Sequence, residues 1–507
     1  MAFAITQNCC NDASCLSVCP VNCIHPTPDE PDFGTTDLLY IDPRSCIDCG
    51  ACADACPVDA ITRVSRLTPE QQVYADLNAD YYRDRPVDNA WGAPRFPLPN
   101  IADVSLGSVA VIGTGPAACY AATAILRQTD ARVTFYERLA VPGGLARFGV
   151  APDHTGTRRI GEHFRPLFDH PRVTVRTGVN VGADVDVDDL RAAHDAVVVA
   201  VGADRDRTLP WVRSDSGGVA PFSARTLVGW YTGHPGVPAD AVDLTGVRRV
   251  VVIGNGNVAL DAARILTADP NALAATEIAP HALAALRAAE VAEVVVVARR
   301  GPEHAAFTRP ECQALVSRAE VPVVIAGPGA AEAAAALPFS ASASPLAGVP
   351  EVTLSDLSGP AGTGRRIVFA FGVDPAALRR ADGALEMTAT TADRGSVTLR
   401  ADLVLQAVGY RGAPLGGLPF DEDRGTVRNV DGRVVRDDGT AVPRTYVVGW
   451  AKRGATGGIG DNKADAEATV EAMLADAVHA GTAGAPGSGR SAGRRRLLPL
   501  RPVVRRR

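Results

Sequence analysis

The residues most able to do chemistry crowd the N-terminus, where nine of the eleven cysteines lie between Cys9 and Cys56. The last four read Cys46-Ile-Asp-Cys49-Gly-Ala-Cys52-Ala-Asp-Ala-Cys56-Pro57, a C-x2-C-x2-C-x3-C-P run. Three evenly spaced thiolates on a tight loop can cap three irons of a cubane iron–sulfur cluster, and the fourth, before proline, serves a neighbouring cluster. Gly50 permits the sharp turn, and Pro57 ends the local backbone bonding. Nothing suggests a secreted, disulfide-rich context, so the clustered cysteines point to metal. Paired cysteines at this spacing also bind zinc, but the fourth cysteine with its proline favours iron and sulfur.

The run has an earlier, degenerate copy. The same offsets from Cys9 give Cys9, Asp12, Cys15, Cys19 and Pro20, and Pro20-Val-Asn-Cys-Ile24 repeats as Pro57-Val-Asp-Ala-Ile61, a period of 37 residues. Crossing the fourth cysteines assigns Cys19, Cys46, Cys49 and Cys52 to one [4Fe–4S] cluster. The second site has Cys9, Cys15 and Cys56, with Asp12 where a fourth thiolate would stand. A carboxylate is a harder, weaker partner for iron, so the expectation is [3Fe–4S], with a labile [4Fe–4S] as the alternative. Cys10 and Cys23 are left over, and Cys10 is an alternative to Cys9.

Two further motifs read as dinucleotide cradles. Val109-Ala-Val-Ile-Gly113-Thr-Gly115-Pro116-Ala117-Ala118 is a buried strand entering G-x-G-x-x-A, followed by an alanine-rich helix and the strand Arg132–Glu137. The glycines let backbone approach a pyrophosphate at the helix N-terminus, and Glu137 suits a ribose with a free 2′-hydroxyl. The second copy, Gly254-Asn255-Gly256-Asn257-Val258-Ala259, is followed by a strand that ends in Arg299-Arg300. Arginine there favours a 2′-phosphate, hence NADP(H). Asp195–Gly202 and Asp402–Gly409 read as returning sheet strands. Tyr446-Val-Val-Gly-Trp450 runs into a glycine-rich loop through Gly457, Gly458, Ile459 and Gly460, whose N–H groups suit a flavin carbonyl or a phosphate.

These parts need several domains to position them. With 507 residues, 46% hydrophobic and 21% charged, the chain exceeds one core. It has no apolar run of roughly 18 residues, so no membrane helix is expected, and its start does not resemble a secretory signal. A cytoplasmic location follows as the expectation. Net charge is −6, but eight arginines and no acid lie from residue 480 onward, which leaves residues 1–479 at −14. That tail reads as disordered and solvated, and no nucleic-acid partner is expected. Residues 1–66 carry nine acids against three arginines.

From about 106 to 479 the chain resembles the adrenodoxin reductase family. The resemblance rests on Gly113-Thr-Gly-Pro-Ala117, Arg147-Phe-Gly-Val-Ala-Pro-Asp153-His154, Gly254-Asn-Gly-Asn-Val-Ala-Leu-Asp261, Ala298-Arg-Arg-Gly-Pro302 and Val447-Val-Gly-Trp450. With its N-terminal part, the whole resembles actinobacterial reductases fused to a two-cluster ferredoxin. The resemblance implies an α/β fold: two Rossmann-like, glutathione-reductase-like domains preceded by a small α+β ferredoxin-like domain. The expected boundaries are 1–66 for the ferredoxin, 67–105 for a linker, 106–205 plus 399–479 for the FAD domain, 206–398 for the NADP domain and 480–507 for the tail. It also implies FAD contacts at Gly113, Gly115, Pro116, Ala117, Glu137, Leu145, Val181, Trp450, Gly457, Gly458 and Ile459. Implied NADPH contacts are Asn255 to Val258, Arg299, Arg300, Glu311 and Gly457, with His154 and Asp153 near the reacting rings.

The implied activity is NADPH–ferredoxin oxidoreduction: hydride to FAD, then single electrons to the clusters and on to a ferredoxin or another one-electron acceptor, cytochrome P450 systems included. Flavin is needed because nicotinamide moves two electrons together and each cluster takes one. Arg147, Lys452 and Arg453 are the expected basic seat for the acidic ferredoxin domain. A glutamate-synthase-like small subunit and an iron–sulfur redox sensor are the alternatives.

Overall fold

The computed structural model describes residues 2–85, 106–211 and 219–482. Most of the expected linker (from 86) and of the basic tail (from 483) therefore lie outside the described residues.

Strand β1 (Phe3–Ile5) pairs antiparallel with β2 (Ile61–Arg63), which follows the short helix α1 (Ala51–Ala55). A second pair, Ile24–His25 with Tyr40–Ile41, stands one 37-residue period away from this one. Between them, the 37-residue repeat is written in the backbone. Asn11 and Asp48, Ala13 and Gly50, and Asn22 and Asp59 all adopt positive φ at that offset.

The segment expected to begin a linker at residue 67 is instead a helix, α2 (Gln72–Tyr81), introduced by a turn that Thr68 and Gln71 cap. Tyr74, Leu77 and Asn78 recur at i, i+3 and i+4 and are buried, the spacing of one helical face. The Asn78 carboxamide accepts from the N–H of Ile5 (3.1 Å) and Ile41 (2.8 Å) and donates to the Ile5 carbonyl (2.9 Å). It joins the two small sheets, so the cysteine-bearing half runs at least to Tyr82, whose hydroxyl bonds the Tyr40 carbonyl at 2.6 Å.

The first nucleotide unit is β3 (Ser108–Ile112), α3 (Pro116–Gln128), β4 (Arg132–Glu137), β5 (Val173–Thr177) and β6 (Ala196–Val199). The second is β7 (Arg249–Ile253), α4 (Asn257–Thr267), β8 (Glu293–Ala298), α5 (Arg309–Val316), β9 (Val323–Ala326), β10 (Arg366–Phe371) and β11 (Leu403–Gln406). The chain then returns to the first sheet through β12 (Ala441–Val447) and closes with α6 (Asp461–Thr482). The first sheet runs Asn429–Val430, Arg433–Val435, β12, β6, β3, β4, β5; the second runs Phe222–Ser223, β11, β7, β8, β10, β9. The valine-rich strands β7 and β8 are buried along their whole length, as strands of parallel sheets covered on both faces must be.

β11 lies parallel to β7 in the second sheet. The expected boundary at 399 therefore moves, and the passage between units is marked by Arg205–Asp206 pairing with Tyr410–Arg411. The boundary differs because β11 and β6 are both short apolar strands, and a short apolar run does not say which sheet it joins.

Candidate functional site

Each nucleotide unit turns on one packed glycine and one open glycine. At Gly113 (φ +103°) a Cβ would stand 2.5 Å from the Ala200 carbonyl oxygen, and at Gly254 (φ +112°) 2.4 Å from that of Ala407. Ala200 and Ala407 directly follow β6 and β11, so the two resembling return strands do the same work in their own sheets. Gly115 and Gly256 cap α3 and α4 in extended conformation, and a Cβ on either would meet nothing within 4 Å. Both helix N-termini thus face open crevices at the C-terminal edge of a parallel sheet, which fits the pyrophosphate of a bound dinucleotide.

The second-strand ends differ. Glu137 is buried at 6% exposure; its carboxylate accepts from the Thr114 hydroxyl (2.5 Å) and the Leu139 N–H (2.9 Å). Arg299 and Arg300 are both exposed after β8. In the first unit, Pro116 and Ala117 form the first turn of α3 and Val181 is buried, whereas Leu145 is 40% exposed. Trp450 donates from Nε1 to the Gly457 carbonyl (3.2 Å), and Asn462 donates to the carbonyls of Gly458 (2.8 Å) and Ile459 (3.2 Å). In the second unit the Asn257 carboxamide accepts from the Thr308 N–H at 2.8 Å, so Asn255 to Val258 are tied to the segment entering α5.

Asp153, His154 and Glu311 meet where the two units join. His154 Nε2 lies 3.2 Å from Asp261 Oδ1 and 3.4 Å from Glu311 Oε2. Arg264 binds Asp153 (2.6 Å), Asp261 (2.6 Å) and Glu311 (3.3 Å). Burial and the Arg264 charge push the His154 pKa down, but Glu311 and Asp261 outweigh both and hold it at about 10. The imidazole is therefore protonated at neutral pH. The same attraction from Arg264, working against burial, keeps Asp153 and Asp261 below the ordinary carboxylate range. His154, Asp261 and Glu311 are spaced as metal ligands are, yet Arg264 already fills the space as their counter-ion.

Glu311, expected at NADPH, is thus engaged in this ion cluster. Arg264, and the pairing of Asp261 with it, escape the sequence reading, although their i, i+3 spacing on α4 is the available signal.

The cysteines separate into two groups. Cys19, Cys46, Cys49 and Cys52 line one cavity with Cys23, Phe3, Val21, Ile41, Ile47 and Gly50, which is the crossed assignment. Cys23, unplaced by sequence, lies 3.5 Å from the Cys19 sulfur. Its thiol hydrogen bond holds Cys19 and Cys46 down near pKa 6. Four thiols converging in a mostly apolar hollow fit a cubane cluster.

In the other group burial dominates: it pushes Cys9 up to about 12, Cys15 well above the ordinary thiol value and Cys56 upward. Bare thiolates are costly there, and coordinated iron would offset that cost. The loop retains the cluster-binding turn, because Asn11 and Ala13 repeat the positive φ of Asp48 and Gly50 around Asp12. The Asp12 carboxylate accepts from the Ser14 hydroxyl.

The halves touch closely. One apolar core runs from Ile5, Leu16 and Ile61 through Ala118, Ile125 and Phe164 to Met473 and Leu474 on α6. Lys452 and Arg453, expected to seat the cysteine half, bind Asp465 within the body instead (3.0 and 3.2 Å). Arg147 stacks its guanidinium over Phe148. The seat is made by packing, with Lys463 and Arg159 of the body, rather than Arg147, Lys452 and Arg453, reaching the cysteine half.

Comparison with known proteins agrees with this division. Residues 39–62 match a 4Fe-4S binding domain, and residues 107–319 match the pyridine nucleotide-disulphide oxidoreductase family. A probable ferredoxin/ferredoxin–NADP reductase of Mycobacterium bovis is 46% identical over 94% of this chain and 84% of its own length. NADPH-ferredoxin reductase FprA of Mycobacterium tuberculosis is 40% identical over 72% of this chain and 83% of its own. The solved structure of Mycobacterium tuberculosis FprA in complex with NADPH superposes with TM-score 0.65 at 38% identity, covering 74% of this chain and 86% of that one. Among the described residues no helix is long and apolar enough to cross a membrane. The chain belongs to the ferredoxin/ferredoxin–NADP reductases, an iron–sulfur ferredoxin half joined to a reductase body with FAD and NADP frames.

Proposed function

We propose that this chain takes hydride from NADPH at its second nucleotide unit and releases the electrons singly through its cysteine half to an external one-electron acceptor. The observation that carries this is the single apolar core uniting the cysteine half with the first nucleotide unit, which sets donor frame and acceptor sites in fixed relation. FAD, when bound, supplies the conversion from paired to single electrons. Gly113, Gly115, Pro116, Ala117, Glu137, Leu145, Val181, Trp450, Gly457, Gly458 and Ile459 would hold it. Asn255, Gly256, Asn257 and Val258 would cradle the NADPH pyrophosphate, and Arg299 and Arg300 the 2′-phosphate.

His154, positively charged between Asp261 and Glu311, and Asp153, held by Arg264, fix the relative orientation of the two units where the reacting rings must meet. We read the Asp12 site as [3Fe–4S], because a carboxylate is a harder and weaker partner for iron than the thiolate at the matching position, Cys49. The acceptor is a separate ferredoxin or another one-electron carrier such as one feeding a cytochrome P450 system, and the setting is the cytoplasm. In anaerobic stopped flow, NADPH should bleach flavin absorbance first and cluster absorbance second. Flavin bleaching that leaves the clusters oxidised would overturn the proposal.

A further inference from the structure

The two cluster sites are placed differently relative to the body. The main-chain N–H of Gly460, at the end of the glycine loop that follows Trp450, donates to the Cys10 carbonyl at 2.8 Å. A Cβ on Gly460 would stand 1.9 Å from that oxygen and 2.3 Å from the Asp12 nitrogen. Lys463, in the first turn of α6, donates to the Asp12 carbonyl at 3.0 Å and lies 3.4 Å from the Ser14 hydroxyl. Gly156 also meets Asn8 closely, since a Cβ would fall 2.4 Å from its side-chain nitrogen. Tyr120, on α3, is buried with its hydroxyl unpartnered among the described residues. The other site faces outward: Cys49 is exposed, Ile47 is 57% exposed and Val18 38%.

We propose that the two sites work in series and in a fixed order. With clusters bound, electrons would reach the ferredoxin half at the Cys9, Asp12, Cys15 and Cys56 site and leave it at the Cys19, Cys46, Cys49 and Cys52 site. The degenerate copy is the inner relay, pressed against the nucleotide crevice, and the complete copy is the outlet. Overall, NADPH and two equivalents of a one-electron acceptor give NADP+, one proton and two reduced acceptors. Both electrons pass the Asp12 site in turn. Lys463 is a positioning residue that holds the inner loop on the body.

This inference rests on the proposed function, and its test separates the two. In full-length Cys15→Ser, NADPH should still bleach the flavin while the outer cluster stays oxidised, as followed by freeze-quench paramagnetic resonance. Dithionite should still reduce that cluster, which shows that it is assembled. Reduction of the outer cluster by NADPH at the wild-type rate in this variant overturns the order. Wild-type flavin that NADPH does not bleach would instead sink the proposed function.

In Cys49→Ser the inner site should still fill from NADPH, and transfer to a protein acceptor should be lost; an inner site left unfilled also overturns the order. If Cys15→Ser fails to fold, footprinting of the holoprotein decides. Lys452 and Lys463 are the two lysines of the chain, so an amine reagent read by mass spectrometry reports the seam directly. Lys463 should be strongly protected relative to the urea-unfolded chain, and equal reactivity in both overturns the proposal.

Discussion

Both halves of this chain contain a duplication, and the two have diverged in the same way. In the cysteine half, three pairs of positive-φ residues repeat at an offset of 37 while a ligand position changes to Asp12. In the body, Gly113 packs on Ala200 as Gly254 packs on Ala407, while the second strands end in Glu137 in one unit and Arg299-Arg300 in the other. In each, the backbone frame is kept and one or two side chains set the chemistry. Frame and chemistry should therefore break separately.

The largest effect is expected from breaking a frame. Gly113→Ala drives a Cβ into the Ala200 carbonyl and places a non-glycine residue at φ +103°, a cost of at least about 3 kcal/mol. The purified protein should release no FAD on heat denaturation, while Gly254→Ala should leave flavin bound and abolish NADPH binding. Changing chemistry within an intact frame should cost less. Replacing Arg299 and Arg300 by alanine should raise KM for NADPH about 10- to 100-fold, about 1.4 to 2.7 kcal/mol, and leave KM for NADH unchanged in steady-state assays.

The ion cluster joining the units should show a pH signature. His154 titrates at about 10 when folded, above its ordinary 6.5, so its stabilising contribution is complete below about 6.5 and is lost as pH rises through about 10. The unfolding free energy of the wild type from urea titration should fall between pH 7 and 10 by an amount on the order of 1–3 kcal/mol. His154→Gln should flatten that decline, and an unchanged slope would refute the assignment. The smallest effect belongs to the degenerate cysteine loop. Ala13 carries a positive φ that its repeat partner Gly50 carries freely, so Ala13→Gly should stabilise by about 0.5–1 kcal/mol in urea unfolding.

Much of this was legible in the sequence because strong local signals carried it: cysteine spacing, glycine turns and charge at a strand end. The convergence of Cys19, Cys46, Cys49 and Cys52 on one cavity and both dinucleotide turns needed nothing beyond spacing. What escaped was set by long-range packing. α2 hid because its buried face includes Asn78, whose carboxamide is satisfied by Ile5 and Ile41, far away in the chain. β11 was assigned to the wrong unit because an apolar run does not name its neighbour. The Asp261–Arg264 pair was passed over because its partners, Asp153 and Glu311, come from opposite units. The basic seat failed for a similar reason, since Lys452 and Arg453 had a nearer carboxylate in Asp465.

The cysteine half also grips the second nucleotide unit. Asp37 accepts from the Arg309 N–H at 2.8 Å, and the Tyr74 hydroxyl bonds the Pro310 carbonyl at 3.3 Å, both at the start of α5. A free carrier protein must dissociate after each electron, and its departure can limit turnover. A carrier moored to both units cannot leave, so in the proposed relay each cycle would be freed from that wait, and the final acceptor would be the protein that comes and goes.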